Sequence, residues 1–325
     1  MHKRLLLTGA AGFVGSHILK YLVANTDWDI VCLIRLNTAG DANRIKDTQW
    51  SPRVTFVYHD LKGTIHSDLR DMIGHVDYIL NLAANSHVDR SITNPKEFFE
   101  DNVIGAVNVL EYLRLYMPKA RYINFNTDEC YGAAPDNYKY KETDRFSPSN
   151  PYSASKACQA MAAIAYTKTY GLDIINTYTM NIFGPDQNKE KLIPKAIYNA
   201  KNRIPMPVFA QLEGDKLVGV GTRHWLHVDN VGDALVFILN NGVSGESYNI
   251  VGTDELTNEE VVRIVNELLG IEPLIEYVDF HAVRKGHDRR YAIDGAKLAE
   301  LGWVPKKNFR DGIKEVIDAQ KENYE

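Results

Sequence analysis

The stretch Leu5-Leu6-Leu7-Thr8-Gly9-Ala10-Ala11-Gly12-Phe13-Val14-Gly15 decides the fold. A short apolar run meets glycines at every third position and then a helical apolar pattern, so it reads as strand, tight loop and helix. Glycine in such a loop allows the turn and lets backbone approach an anion closely. The helix that follows points the positive end of its dipole at the same spot. Gly9, Gly12, Phe13, Val14 and Gly15 are therefore expected to cradle the pyrophosphate of a dinucleotide.

Outward from that loop the alternation continues. Ile30–Ile34, Val54–Tyr58, Tyr78–Leu82, Arg121–Asn126 and Ile174–Thr179 are strand-length runs. Phe13–Ala24, Asn102–Tyr116 and Tyr152–Tyr170 carry helical periodicity. This order predicts an α/β fold of the Rossmann type, a doubly wound parallel sheet with helices on both faces. Beyond Asn181, the prolines 185, 194, 205 and 207 punctuate shorter elements, which predicts a second, smaller α/β substrate domain. Val228–Leu239 reads as a helix and Ser247–Val251 as a strand returning to the main sheet. The expected division is 1–180 plus about 229–252 for the dinucleotide-binding domain, with 181–228 plus 253–325 for the second, substrate-binding domain.

A chain of 325 residues with 24% charged and 45% hydrophobic residues fits an ordinary globular enzyme. Its net charge of -5 gives no basic footprint for nucleic acid, and no apolar stretch reaches the length of a membrane span. Cys32, Cys130 and Cys158 are scattered, which points to a reducing, cytoplasmic setting and to neither a disulfide frame nor a zinc site. No His-Glu-x-x-His array is present, and no metal is expected.

Two motifs carry chemistry. Thr127-Asp128-Glu129 closes the strand Arg121–Asn126, and in open α/β sheets ligands sit beyond the carboxyl ends of strands. Tyr152 and Lys156 stand four apart on a helix, hence one above the other on one face. A phenol, with a reference pKa of about 10, is a poor base at neutral pH unaided, and a neighbouring ammonium lowers that pKa by favouring the phenolate. Two adjacent carboxyls supply a further acid and base. The set can take a proton from an alcohol and also eliminate a group.

Glycine loop, acidic pair and Tyr152/Lys156 together resemble the extended short-chain dehydrogenases/reductases that act on nucleotide sugars, nearest the dTDP-glucose and UDP-glucose 4,6-dehydratases. The likeness extends through Leu82-Ala83-Ala84-Asn85-Ser86-His87-Val88-Asp89-Arg90-Ser91, Lys191-Leu192-Ile193-Pro194 and Gly286-His287-Asp288-Arg289-Arg290-Tyr291. The resemblance implies that Tyr152 takes the proton of the sugar 4-hydroxyl while hydride leaves C4 for a tightly bound nicotinamide dinucleotide. Lys156 holds the ribose and lowers the Tyr152 pKa, and Thr127 bonds the 4-oxygen. Glu129 removes the C5 proton, Asp128 protonates the departing 6-hydroxyl, and hydride returns to C6, giving a 4-keto-6-deoxy sugar. It further implies cofactor contacts from Asp60 (to adenine), Leu61, Leu82, Ala83 and Ala84. Substrate contacts are implied from Ser86, His87, Asn181, Lys191, Leu192, Arg223 and Arg289. Family relatives dimerise through helices that correspond here to residues near 95–116 and 151–170. A homodimer is therefore expected, and Ala157–Tyr166, small or apolar on nearly every side, predicts a helix buried all round. A 4-epimerase or decarboxylase of the same superfamily, and a catalytically inactive dinucleotide sensor, are the competing readings.

The chain departs from the family pattern at four places. Ile34 stands where an acid usually ends the second strand, Asn85 replaces a glutamate, and His224 replaces an aspartate. The segment from Ala210 to Gly221 is longer than the usual connection. Since an acid at the second strand repels a 2′-phosphate and a nearby arginine accommodates one, Ile34 with Arg35, and Arg44 as a second cation, predicts NADP at least as readily as NAD.

Overall fold

Leu5, Leu6 and Leu7 of β1 (Arg4–Thr8) are all fully buried, because the strand lies inside a sheet covered on both faces. The computed structural model describes residues 2–36, 40–213, 216–279 and 288–322. Within them β1 is joined by β2 (Asp29–Ile34), β3 (Val54–Tyr58), β4 (Tyr78–Asn81), β5 (Arg121–Thr127) and β6 (Ile174–Thr179), with β11 (Ser247–Ile250) returning at one edge. Every pairing is parallel and the order is β11-β6-β5-β4-β1-β2-β3. Side chains alternate between faces along a strand. Leu5 and Leu7 accordingly join one apolar core with Ile18, Leu22, Leu235 and Ile238, while Leu6 joins the other with Leu69, Val109 and Leu113. Strand order reverses on either side of β1, and that switch point is where such sheets bind ligands.

On the first face lie α1 (Phe13–Asn25) and, later in the chain, α8 (Val228–Asn241). The other face is covered by α2 (Ser67–Ile73), α5 (Gly105–Tyr116) and α6 (Pro151–Tyr170). The helix expected over Asn102–Tyr116 is longer and interrupted. Two short helices, α3 (Val88–Thr93) and α4 (Pro95–Phe99), precede it, and a π-helical turn over Glu100–Ile104 joins α4 to α5. Burial of α6 on every side is not what the single chain provides: Cys158, Met161 and Ala165 form an exposed stripe.

The remaining strands form two small sheets. One is β12 (Asp254–Thr257), β10 (Thr222–His227) and β7 (Asn181–Phe183). The other is β13 (Ile275–Asp279), β8 (Met206–Glu213) and β9 (Lys216–Gly219). The long Ala210–Gly221 segment is thus largely an antiparallel hairpin, with Ala210 opposite Gly219 and Gln211 opposite Val218. With α7 (Leu192–Lys201) and α9 (Asn258–Leu269), these sheets enclose a third core of Phe183, Ile193, Trp225, Val261 and Phe309. The helix Phe309–Glu322 is tied back to α8 by Lys307, whose ammonium bonds Asp229 and Glu315. Among the described residues no helix is long and apolar enough to cross a membrane.

Candidate active site

The reactive strand end is built locally. β5 stops at Thr127, whose hydroxyl accepts the Glu129 N–H at 3.4 Å and donates to Asp128 Oδ1 at 3.0 Å. Asp128 to Tyr131 then turn in a single 3-10 helix beneath the start of α6. Asn150 caps α6: its Oδ1 accepts the Ser153 N–H at 2.9 Å, with the Ser153 hydroxyl returning to the Asn150 backbone, a capping box followed by Pro151. The same Asn150 donates from Nδ2 to Glu129 Oε2 at 3.3 Å. Tyr152 and Lys156, one turn apart, are both buried, and the Phe98 ring packs edge-on against Tyr152.

Lys156 Nζ donates to the Phe125 carbonyl at 2.7 Å and to Gln159 Oε1 at 2.6 Å. Gln159 donates in turn to Asn124 Oδ1 at 2.6 Å, and Asn124 to Asn176 Oδ1 at 2.8 Å. A chain of buried amides thus runs under the site from α6 to β6, and buried polar groups persist only when bonded in this way.

Burial, then the neighbouring Glu129 charge, pushes the Asp128 carboxyl up to about 7. Its Oδ2 is buried without a hydrogen-bond partner among the described residues. Glu129 is also raised by burial, against the pull of Asn150, Arg223 and Lys191. Burial lowers Lys156 to about 8. The Tyr152 phenol is not lowered as the helical spacing predicts; burial and the charge of Glu129 raise it well above its ordinary value. Lys156 directs its ammonium at Phe125 and Gln159, which explains the difference.

The glycine loop fits a pyrophosphate. Gly9 has φ +76°, and a Cβ there would lie 2.8 Å from the Ala83 nitrogen; a Cβ at Gly15 would lie 2.1 Å from the Gly9 carbonyl oxygen. Gly12 caps α1 without any side-chain hydrogen bond, and a Cβ on it would meet only the Gly9 oxygen, at 3.3 Å. The helix end with Phe13 and Val14 therefore stays open to an anion. Leu82, Ala83 and Ala84 follow β4, with the Ala83 N–H donating to Thr8 Oγ1 at 3.1 Å. Asn102 clamps the next turn, accepting from Asn85 N at 2.7 Å and donating to Ser155 Oγ at 2.8 Å. Leu61 follows Asp60 and is held through its carbonyl by Asn108 at 2.7 Å.

At the adenosine end, Arg35 Nη1 meets both Asp60 oxygens at 3.0 and 3.1 Å. The same guanidinium grips Asp101 with both terminal nitrogens at 2.9 Å. Arg44 donates to Asn188 in the loop after β7. On the opposite rim, Arg223 stacks over the Tyr291 ring at 4.4 Å and donates to the carbonyls of Thr222, Asp288 and Arg289. Arg223 and Lys191 both bias Glu129 electrostatically, so α7 and β10 bring their cations to the acidic pair. Asn181 sits on β7 beside Trp225, and Leu192 opens α7. Ser86 and the Arg289 side chain are exposed, whereas His87 caps α3 by accepting the Arg90 N–H at 3.4 Å. Gly286 and His287 lie outside the described residues.

Sequence reasoning missed Asn150, Gln159, Asn102, Asp101 and Tyr291. Only Asn150 carried a local signal, an N-cap residue directly before a proline.

The chain matches the family model of GDP-mannose 4,6 dehydratase over residues 6–316. It is 36% identical to a dTDP-glucose 4,6-dehydratase of Salmonella typhimurium, across 97% of this chain and 92% of that protein. It is 39% identical to the low-salt glycan biosynthesis protein Agl12 of Haloferax volcanii, across 97% of each. Among solved structures it is similar to DesIV, a dTDP-glucose 4,6-dehydratase from Streptomyces venezuelae with NAD bound. That likeness has a TM-score of 0.88 and 36% identity, covering 98% of this chain and 97% of the other.

Proposed function

Since the chain belongs to the nucleotide-sugar 4,6-dehydratase family of extended short-chain dehydrogenases/reductases, we propose that Thr127, Asp128, Glu129, Tyr152 and Lys156 convert a nucleoside-diphosphate hexose, of the dTDP- or UDP-glucose type, to its 4-keto-6-deoxy form. The chain is a 4,6-dehydratase working with a bound nicotinamide dinucleotide. When bound, the nicotinamide takes up the C4 hydride and releases it at C6. Tyr152, once its raised phenol has given up its own proton, receives that of the 4-hydroxyl, with the Thr127 hydroxyl on the 4-oxygen. The 4-keto group acidifies C5, Glu129 takes that proton, and Asp128 gives its own to the departing 6-hydroxyl.

The observation that carries this reading is Asp128, buried at the end of β5 with its Oδ2 unpartnered among the described residues and its carboxyl pushed up to about 7 beside the half-buried Glu129. A carboxyl that retains its proton near neutrality serves elimination of water, a step that an epimerase never performs. Arg223, Arg289 and Lys191 hold the diphosphate, and Ser86, His87, Asn181 and Leu192 line the sugar nucleotide. We assign 1–180 plus about 229–252 to dinucleotide binding, and 181–228 plus 253–325 to the sugar nucleotide. The enzyme works in the cytoplasm as a homodimer through α5 and α6; three free cysteines support the reducing setting. The finer dinucleotide choice, for which the sequence favours NADP through Arg35, turns on the Asp60 and Asp101 contacts and is taken up below.

Incubation with dTDP-, UDP-, CDP- and GDP-hexoses, followed by mass spectrometry, tests the reaction. One of them is expected to lose a single water; inversion at C4 with no loss of mass would reject dehydration.

A further inference from the structure

Ile34 ends β2 fully buried and offers no acceptor to a ribose, yet the corner beyond it is not short of carboxylate. Asp101 arrives from the opposite wall, on the π-helical turn Glu100–Ile104. The widened turn sends Asp101 to Arg35 while its neighbour Asn102 goes to Asn85 and Ser155. π-Helical turns of this kind recur at functional sites. We infer that Asp101 sets the dinucleotide choice: by occupying Arg35 it makes the adenosine end take NAD and reject the 2′-phosphate of NADP. The inference rests on the dinucleotide reading above and reverses the preference expected from Ile34 and Arg35 alone.

A 2′-phosphate needs a guanidinium face of its own, since arginine recognises phosphate through paired N–H donors. Arg35 has both terminal nitrogens on Asp101 and shares Nη1 with Asp60. Lys62 adds a second cation, 3.8 Å from Asp60 and 3.9 Å from Asp101. These two cations face two carboxylates, so Arg35 and Lys62 carry no surplus charge for an incoming dianion. The carboxylates are not equivalent. The Asp60 side chain is 43% exposed and can turn toward solvent, whereas that of Asp101 is 5% exposed. Turning Arg35 to a phosphate would take both its short hydrogen bonds from the buried Asp101 and leave that carboxylate only the more distant Lys62, at 3.9 Å, the expensive half of breaking a buried pair. The ribose hydroxyls of NAD make no such demand, and carboxylates accept hydrogen bonds from them.

The test uses protein stripped of dinucleotide, titrated with NAD and NADP separately by calorimetry. Wild type is expected to bind NAD at least about tenfold more tightly than NADP. Asp101→Asn keeps the size and loses the charge. It should move the ratio toward NADP by about tenfold or more, and adding Arg35→Gln should cancel that gain. Equal or tighter binding of NADP by wild type, or an unmoved ratio in Asp101→Asn, would overturn the inference. Should Asp101→Asn fail to fold, the wild-type ratio and the mass of dinucleotide released from the purified protein decide it, with NADP the adverse result. Because these readouts are binding and mass, failure to dehydrate any sugar nucleotide would fault the reaction reading while leaving this one standing.

Discussion

Asp128 shows how one residue acquires its role from its surroundings. That Thr127, Asp128 and Glu129 stand at the end of a sheet strand, and Tyr152 and Lys156 one turn apart on the helix beside it, was legible in the sequence. The proton affinities were not, because they depend on what each side chain faces after folding. Lys156 four residues after Tyr152 promised a lowered phenol, but Phe125 and Gln159 take the ammonium and burial raises Tyr152. The neighbours are coupled, and their titration belongs to the pair. With Asp128 raised to about 7, its acid form is lost as pH climbs through neutrality. Turnover is therefore expected to fall on the alkaline side of about pH 7 if elimination limits the rate. Asp128→Asn should abolish that limb and slow dehydration by about 10²–10⁴-fold. Hydride transfer from C4 persists in the variant, so near-ultraviolet absorbance of reduced nicotinamide builds up. A wild-type rate in the variant would remove Asp128 from the chemistry.

Among elements, the central parallel strands were readable because runs such as Leu5–Leu7 and Ile30–Ile34 are apolar on both faces, as a strand buried on both faces must be. β7, β12 and β13 were not, since short half-buried strands lack a decisive pattern and take partners distant in sequence. Asn150 links an element to the site, capping α6 while donating to Glu129. Asn150→Ala should lose about 1 kcal/mol of stability with the cap. Asn150→Asp keeps the cap acceptor but sets a carboxylate against Glu129, so it should melt like wild type and turn over at least about tenfold slower. Wild-type turnover in Asn150→Asp would reduce Asn150 to a helix cap. His224 is a second case, lying across from Glu255 between β10 and β12 with Lys139 and Arg290 nearby. Burial, then those cations, lowers its imidazole to about 4 from an ordinary 6.5. The unfolded chain binds that proton first, so this contribution is whole above pH 6.5 and is lost as pH falls toward 4. A shift of that size corresponds to about 3 kcal/mol. Urea melts at pH 7 and 4.5 should show a smaller acid loss in His224→Gln than in wild type; parallel losses would exclude His224 as the source.

For the whole molecule, the outer face of the helical layer sets the last expectation. Apolar periodicity alone predicted α6 buried all round, and periodicity cannot say whether burial comes from the same chain or another. In the single chain Met161 is 57% exposed, and Ile92, Phe99, Ile104 and Leu115 on α3, α4, the π-helical turn and α5 are exposed with it. Scattered apolar side chains on a surface need no explanation, but a continuous set on neighbouring helices marks an interaction surface. A two-fold axis beside α5 and α6 would place each copy's stripe on the other's, the self-complementary contact most common in homo-oligomers. Light scattering at micromolar concentration should therefore give twice the 36.8 kDa chain mass. Met161→Arg should halve it by placing a charge at the centre of the contact, whereas Tyr198→Arg, on α7 and likewise exposed, should leave it unchanged. Because Tyr152 and Lys156 sit on the buried face of the same helix, the monomeric variant should also lose thermal stability and turnover together. A monomeric wild type, or a Met161→Arg protein that stays dimeric, would place the association elsewhere or remove it.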